Sequence, residues 1–240
     1  LHLGSLYTAV ASFLDARAHH GRWLLRIEDI DKPREIAGSA DRILRTLLAF
    51  GMEWDGEVVR QSDRIDFYAA ALRSLESRNL TFEPALIYFA DRVQGAYRQD
   101  VAAAVGDFIL KRRDQLHAYA LAVVVDDAAQ GVTHVVRGAD LLDNTPRQIY
   151  LQRELGLPLP RYAHVPVLTE PDDTKLAKSR RSVRVDSVEA LPQLLAVFSM
   201  LGLPVPASLA GATLAEAWHW AIAHWDVNKA PKRLNVRVTR

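Results

Sequence analysis

At 240 residues, 49% of them hydrophobic, the chain can bury a substantial core and reads as one large domain, or one domain with a small appendix. Cysteine is absent, which excludes a disulfide framework or a thiolate metal site within these residues, and the formal net charge of +1 argues against wholesale coating of nucleic acid. No apolar run approaches the ~20 residues of a membrane span and no charged-then-apolar leader precedes the first helix, so no membrane partner and a cytoplasmic location are expected.

Residues 6–20 carry Leu6, Val10, Phe13 and Leu14 on a helical period and stop at Gly21, which puts His2, Gly4 and Ser5 at a helix amino terminus. Free N–H groups and a positive partial charge there suit a phosphate, although an HxGx tetrapeptide is common by chance. Residues 22–27 (RWLLRI) read as a buried parallel strand. EDIDKPRE follows at its carboxyl end, either as an ordinary helix-entry loop or as carboxylates on a ligand-binding edge. Helical periods cover 37–50 and 63–78, with Trp23 and Trp54 most simply core residues. Residues 87–95 read as a strand and turn. Residues 107–114 read as another strand, ending in Lys111, Arg112 and Arg113, a solvated turn or a phosphate contact.

The stretch 117–157 organises the rest. The apolar run 119–125 reads as a strand broken by Asp126 and Asp127, and 131–136 as a second one. Arg137 then opens the loop RGADLLD, and Asn144-Thr-Pro supplies a cap residue and a first-turn proline for a helix ending at Gly156. A guanidinium and carboxylates thus fall at the carboxyl edge of a sheet, where open α/β folds bind ligands. The bland alternative is a buried strand with a solvated polar loop. Residues 161–168 read as the last strand and lead into TEPDDTKLAKS, with Lys175 and Lys178 on a loop. From 187 the chain is helical by period to about 224, broken at GLPVP. Lys and Arg number ten against four Asp and Glu over 175–240, but nine against eleven over 1–66. A basic carboxyl-terminal third is compatible with a phosphate-rich partner or with a solvated helical surface.

In order, His2-Leu-Gly-Ser, RIEDID-x-PR, the Tyr119/VVDD/RGAD unit and Lys175-Leu-Ala-Lys-Ser resemble the motifs of class I aminoacyl-tRNA synthetases, specifically the glutamate branch. The resemblance covers most of residues 1–179. It implies an α/β fold: a Rossmann-like catalytic domain with a parallel sheet over 1–186, followed by a small helical subdomain over 187–240. It also assigns roles. His2 is the first histidine of the HIGH element, contacting ATP phosphates, Gly4 lets adenine pack against the backbone, and Ser5 stands where the second histidine would be. Glu28 binds the substrate α-amino group, while Tyr119 and Arg137 hold L-glutamate. Lys178, supported by Lys175, belongs to the KMSKS loop that stabilises charge on the triphosphate, with Ala177 in place of the middle serine. ATP with Mg2+ is the implied co-substrate.

Three departures narrow the resemblance. No anticodon-binding region follows, Val123 stands where glutamyl-tRNA synthetases usually have asparagine, and Leu141 where they usually have tryptophan. All three look like the glutamyl-queuosine tRNA(Asp) synthetase family, which implies transfer of activated glutamate to queuosine in the anticodon of tRNA(Asp) by a monomer. The alternatives are a catalytic fragment of a glutamyl-tRNA synthetase and a non-catalytic synthetase-like binding protein. The resemblance also implies a proline-rich segment ahead of Leu1, and a zinc-binding insertion with cysteines after the helix ending near 78. This chain passes directly from Phe82 to Glu83. Zn2+ is therefore expected only if further residues belong near 82–84, genuine loss of the module being the alternative.

Overall fold

The computed structural model describes residues 1–31, 35–78, 86–170, 185 and 188–238. The suspected seam at 82–84 and the loop carrying Lys175, Ala177 and Lys178 lie outside the described residues. Among the described residues no helix is long and apolar enough to cross a membrane.

Helix α1 (Leu3–Ala18) forms where the apolar period places it, and Leu6, Tyr7, Val10 and Leu14 are fully buried along one stripe. His2 caps it, its imidazole accepting from the Ser5 N–H. The strand expected over 22–27 shrinks to β1 (Arg26–Ile27), parallel to β2 (Val59–Arg60). Upstream, the Trp23 N–H donates instead to the Asp55 carboxylate. Helices α2 (Ser39–Ala49) and α3 (Ile65–Ser77) follow as expected, the second entered through a 3-10 turn at Gln61–Arg64. Strands β3 (Leu86–Asp91) and β4 (Gly95–Asp100) make an antiparallel hairpin that leads into the short α4 (Val101–Ala104).

Two expected strands are corrected. Residues 107–114 form none, because the chain folds back at once: the Arg112 N–H donates to the Leu116 carbonyl, and a single bridge joins Lys111 to His117. The run 119–125 belongs to helix α5 (Tyr119–Ala129), not to a strand. Its Leu121, Ala122, Val123 and Val124 are buried on several sides at once, so no polar stripe interrupts the apolar run and its sequence period is erased. Gly131, at φ 67°, lets the chain leave α5 and enter β5 (His134–Gly138).

The turn 112–116 uses Gln115 at φ 68°, a conformation that costs a residue with a Cβ ~1–2 kcal/mol. Gln115→Gly is therefore expected to stabilise the protein by about 0.5–1 kcal/mol, net of the extra freedom glycine gives the unfolded chain. A urea titration in which the midpoint falls would refute the assigned strain.

A 3-10 turn (Ala139–Asn144) joins β5 to α6 (Thr145–Glu154). Pro146 sits in the first turn as expected, but Asn144 is not a side-chain cap. It is already helical in its own φ and ψ, and its side-chain oxygen accepts from Arg147. Strand β6 (Arg161–Val165) pairs in parallel with β5 and is broken at Pro166, which has no N–H to donate. Strand β7 (Val167–Thr169) follows. It is not the last strand, since β8 (Asn235–Arg237) returns to pair with it in parallel.

Between them α7 (Ala190–Met200) and α8 (Leu214–His224) pack onto α1. Leu194, Phe198, Trp218 and Ala221 share one buried cluster with Leu6, Tyr7 and Val10. The Trp218 indole N–H donates to the Phe50 carbonyl at 2.7 Å. The Trp225 indole donates to Asp15, which also receives a two-pronged contact from Arg92 at 2.5 and 3.0 Å.

Candidate active site

A cleft of about 860 Å3 opens between α1, β1 and β5. His2 and Gly4 line it at the amino end of α1, Glu28 just past β1, Gly138 at the end of β5 and Asp140 just past it, with Asp127 from α5 and Gln130 at that helix's carboxyl end. It continues into a second cavity of about 440 Å3, with which it shares Ser12, Trp23, Leu24, Gln130, Val132, His134 and Val136. The edges of β1 and β5 that face the cleft pair with no other described strand, so main-chain donors and acceptors line part of its wall.

At the α1 end, the His2 imidazole lies against Ser5, with Nε2 2.9 Å from the hydroxyl, and burial holds its pKa below the ordinary value. A Cβ on Gly4 would stand 3.3 Å from that ring. The glycine therefore keeps the imidazole close over the first turn, where unpaired N–H groups point outward.

Across the cleft the carboxyl ends of β1 and β5 gather charge. Arg26 projects from β1 onto α5, donating to Gln130 at 2.7 Å and to Asp127 at 2.9 Å, with Glu28 at 3.7 Å. The consecutive carboxylates of α5 are about 100° apart around the helix and so serve different neighbours. Asp127 faces Arg26 and the cleft. Asp126, fully buried, accepts from Arg64, Gln61 and Tyr68 at 2.5, 3.0 and 2.8 Å. Burial pushes the Glu28 carboxyl up, Arg26 opposes this, and Asp127 and Asp126 add to it, leaving a net rise. A carboxylate so placed is short of positive charge, and an incoming ammonium would relieve it.

Tyr119, the first residue of α5, is 41% exposed; burial raises its pKa first, and the negative charge of Glu28 adds to that. Arg137 is the penultimate residue of β5, not the first of the following loop as expected, and is buried. Its Nε–H donates to His164 Nε2 at 3.0 Å, and Nη2 donates to Thr145 Oγ1 at 2.8 Å and to Gln148 Oε1 at 2.7 Å. Behind it the Tyr162 ring lies 5.3 Å from the guanidinium carbon. Five N–H groups minus these three leaves the pair on Nη1, which has no acceptor among the described residues.

Glu28, Tyr119 and Arg137 are thus brought within electrostatic reach of one another, while His2 and Gly4 share the cleft with Glu28. Lys175 and Lys178 fall outside the described residues. Arg112, from the expected basic corner, is taken up by Asp31 and Asp114 at 2.9 and 2.7 Å. Arg26, Asp127, Asp91 and His164 are site residues that sequence reasoning did not single out. Asp91 and His164 are 73 residues apart and carry no shared local signal. The chain has no cysteine, and among the described residues no three His, Asp or Glu converge on a point that could hold a metal, so the residues present do not fit a zinc site.

The family described as tRNA synthetases class I (E and Q), catalytic domain, matches residues 1–85 and 79–201. A glutamyl-Q tRNA(Asp) synthetase of Ectopseudomonas mendocina is 50% identical, covering 97% of this chain and 91% of its own length. One from Pseudomonas fluorescens is 47% identical, with 98% and 91% covered. The alignment with the relative from Pseudomonas syringae pv. syringae runs over 276 residues and takes in all 240 of this chain, so about 36 positions there (276 less 240) have no counterpart here. The family match comes in two parts that overlap over 79–85, where the resemblance implies an insertion. Among solved structures, a glutamate-tRNA synthetase from Elizabethkingia anophelis superposes with a TM-score of 0.82 at 21% identity, all of this chain lying on 66% of that one. A second, a glutamate tRNA ligase from Elizabethkingia meningosepticum, gives 0.79 at 22% and 64%. Both show the α/β catalytic fold. With the motif order, the cleft and half of all positions shared with such relatives, the chain belongs to the glutamyl-Q tRNA(Asp) synthetase family, within the class I tRNA synthetases for glutamate and glutamine.

Proposed function

We propose that the cleft joins L-glutamate to ATP as glutamyl-adenylate and passes the glutamyl group to queuosine in the anticodon of tRNA(Asp). The observation that carries this reading is the opposed pair at the sheet edge: an electron-rich Glu28 suited to an ammonium, and an Arg137 with two uncommitted N–H groups suited to a carboxylate. The α-carboxylate of glutamate must stay free to attack, so Arg137 takes the side-chain carboxylate and Glu28 the α-amino group. An α-carboxylate oxygen then attacks the α-phosphorus, the bond to the β-phosphate bridging oxygen breaks, and pyrophosphate leaves.

His2 and the first-turn N–H groups of α1 lie on the cleft wall suited to the triphosphate. Mg2+ would enter on the ATP and neutralise phosphate charge. The role proposed for Lys178, with Lys175 in support, is to stabilise the departing pyrophosphate. In the second step a hydroxyl of the queuosine cyclopentenediol attacks the adenylate carbonyl carbon and AMP leaves. The names of relatives 45–50% identical over nearly the whole chain support this acceptor.

The test is ATP–pyrophosphate exchange with L-glutamate and no tRNA, followed by attachment of labelled glutamate to queuosine-containing tRNA(Asp). Exchange without tRNA is expected, and so is label that survives selective destruction of the 3′-terminal diol. Exchange only after tRNA is added, or label at the 3′ end of tRNA(Glu), would favour a glutamyl-tRNA synthetase fragment. No exchange at all would leave a binding protein.

A further inference from the structure

Asp91 and His164 are two fully paired, deeply buried polar groups that the proposed chemistry does not itself call on, and both lie directly behind Arg137. Asp91 ends β3, His164 lies on β6 and Arg137 lies near the carboxyl end of β5, so three strands contribute one residue each to a continuous chain of hydrogen bonds. The Asp91 and His164 side chains are both sealed from solvent, and Oδ2 of Asp91 stands 2.5 Å from Nδ1 of His164. On its other side the imidazole presents Nε2 to the Arg137 Nε–H at 3.0 Å.

We propose that Asp91 and His164 are positioning residues for substrate binding, acting through Arg137: the carboxylate fixes the imidazole tautomer, and the imidazole fixes the guanidinium that receives the glutamate side-chain carboxylate. This rests on the role assigned to Arg137 under the proposed function.

The donor inventory selects the tautomer. Nε2 lies 3.0 Å from the Arg137 Nε and 3.1 Å from the Thr145 hydroxyl; a hydroxyl can donate or accept but a guanidinium can only donate, so the arrangement with Nε2 as acceptor satisfies both contacts. The ring proton is therefore on Nδ1, where it donates to Asp91. Burial holds the His164 pKa below its ordinary value, and Arg137 adds to that, against the pull of Asp91, so the neutral ring this arrangement needs is the favoured form. Asp91 is fixed in turn. Its Oδ1 accepts three backbone N–H groups, from Val93, Gln94 and His164 at 3.0, 2.8 and 3.1 Å, so the carboxylate cannot rotate. At the other end the relay decides function. With Nε spent on His164 and Nη2 on Thr145 and Gln148, a substrate carboxylate can be held only by Nη1, end-on. The side-on two-pronged mode, which would orient the substrate by itself, is unavailable. The direction in which Nη1 points is thus set entirely by the groups behind it.

The same inventory makes Asp91→Asn a specific test. Three backbone donors hold the amide oxygen at the Oδ1 position, so the amide NH2 falls at the Oδ2 position and faces His164 Nδ1. A donor there moves the ring proton to Nε2, where it opposes the Arg137 Nε–H. The substitution is nearly isosteric and leaves packing alone. In nitrogen-15 NMR of the imidazoles, the resonance pattern lost in His164→Gln identifies His164. The expected results are a protonated Nδ1 in the parent protein and a protonated Nε2 in Asp91→Asn.

In glutamate-dependent exchange, Asp91→Asn is expected to raise KM for glutamate about 10- to 100-fold, the size of a lost hydrogen bond to a charged group, with KM for ATP within about two-fold. His164→Gln, whose carbonyl can stand in for Nε2 as acceptor, should bind glutamate better than His164→Leu by at least about five-fold. A protonated Nε2 in the parent protein overturns the proposal. So do an unchanged glutamate KM in Asp91→Asn, parallel rises in both KM values, and equal losses in the Gln and Leu variants. If the parent protein shows no glutamate-dependent exchange, the proposed function fails, while the NMR result still decides whether the relay exists.

Discussion

Arg137→Ala is expected to lower kcat/KM for glutamate in ATP–pyrophosphate exchange by roughly 30- to 1,000-fold, equivalent to about 2–4 kcal/mol of transition-state binding. The loss has two sources that point the same way. Removing the guanidinium deletes the charge that offsets the substrate side-chain carboxylate in a site partly closed to water. It also leaves the Gln148 Oε1 without its donor and removes one of the contacts of Thr145, both residues being essentially fully buried. Lysine should not rescue. A single ammonium is a point charge on a flexible stem and cannot reach His164, Thr145 and Gln148 while still presenting a donor to the substrate. Affinity for ATP, read at saturating glutamate, should stay near that of the parent protein, because His2 and the amino end of α1 line the cleft whereas Arg137 is buried behind it among His164, Thr145 and Gln148. Exchange within about three-fold of the parent would show that Arg137 does not receive the substrate.

The part of the site legible in the sequence is the part carried by short contiguous motifs. RIED placed Glu28 after a strand and HLGS placed His2 at a helix start, each with its own local signal, whereas Arg137, expected to open the loop after a strand over 131–136, lies inside β5, which starts later and runs through Gly138. What depends on contacts across the fold was not legible. Asp91 and Val93 sit in a hairpin turn that reads as ordinary polar sequence, and His164 sits inside a strand, where a lone histidine carries no period. The pairing of these residues exists only once β3, β5 and β6 are brought together. Helix α5 was misread for a physical reason of the same kind: β-branched Val123, Val124 and Val125 favour strands locally, but burial on several faces decides their conformation globally. The strand at Asn235–Arg237 was invisible because three residues that gain their order by pairing with β7 have no periodicity of their own.

The helix that was misread also carries the most consequential buried charge in the molecule. Asp126 is wholly buried, and its two oxygens take the Arg64 Nε–H, the Gln61 amide and the Tyr68 hydroxyl, with Arg26 3.8 Å away. It thereby ties α5 to α3 on one side and to β1 on the other. Asp126→Ala is expected to destabilise the protein by about 3–5 kcal/mol, because it strands the Arg64 guanidinium and two buried neutral donors without an acceptor. That is a large share of the ~5–15 kcal/mol that holds a typical domain together. Most of the loss should come from the partners left behind and not from the missing attraction. Asp126→Leu combined with Arg64→Met and Tyr68→Phe should therefore recover more than about 1 kcal/mol relative to Asp126→Ala alone. Urea titrations of the parent, Asp126→Ala and the triple variant measure this directly. A loss under about 1 kcal/mol in Asp126→Ala would mean that water or rearrangement satisfies Arg64, and that α5 is held by its apolar face alone. Function should follow stability here, since α5 begins with Tyr119 and carries Asp127 and Gln130 into the cleft. A helix released on its α3 side would leave the glutamate end of the site without its wall.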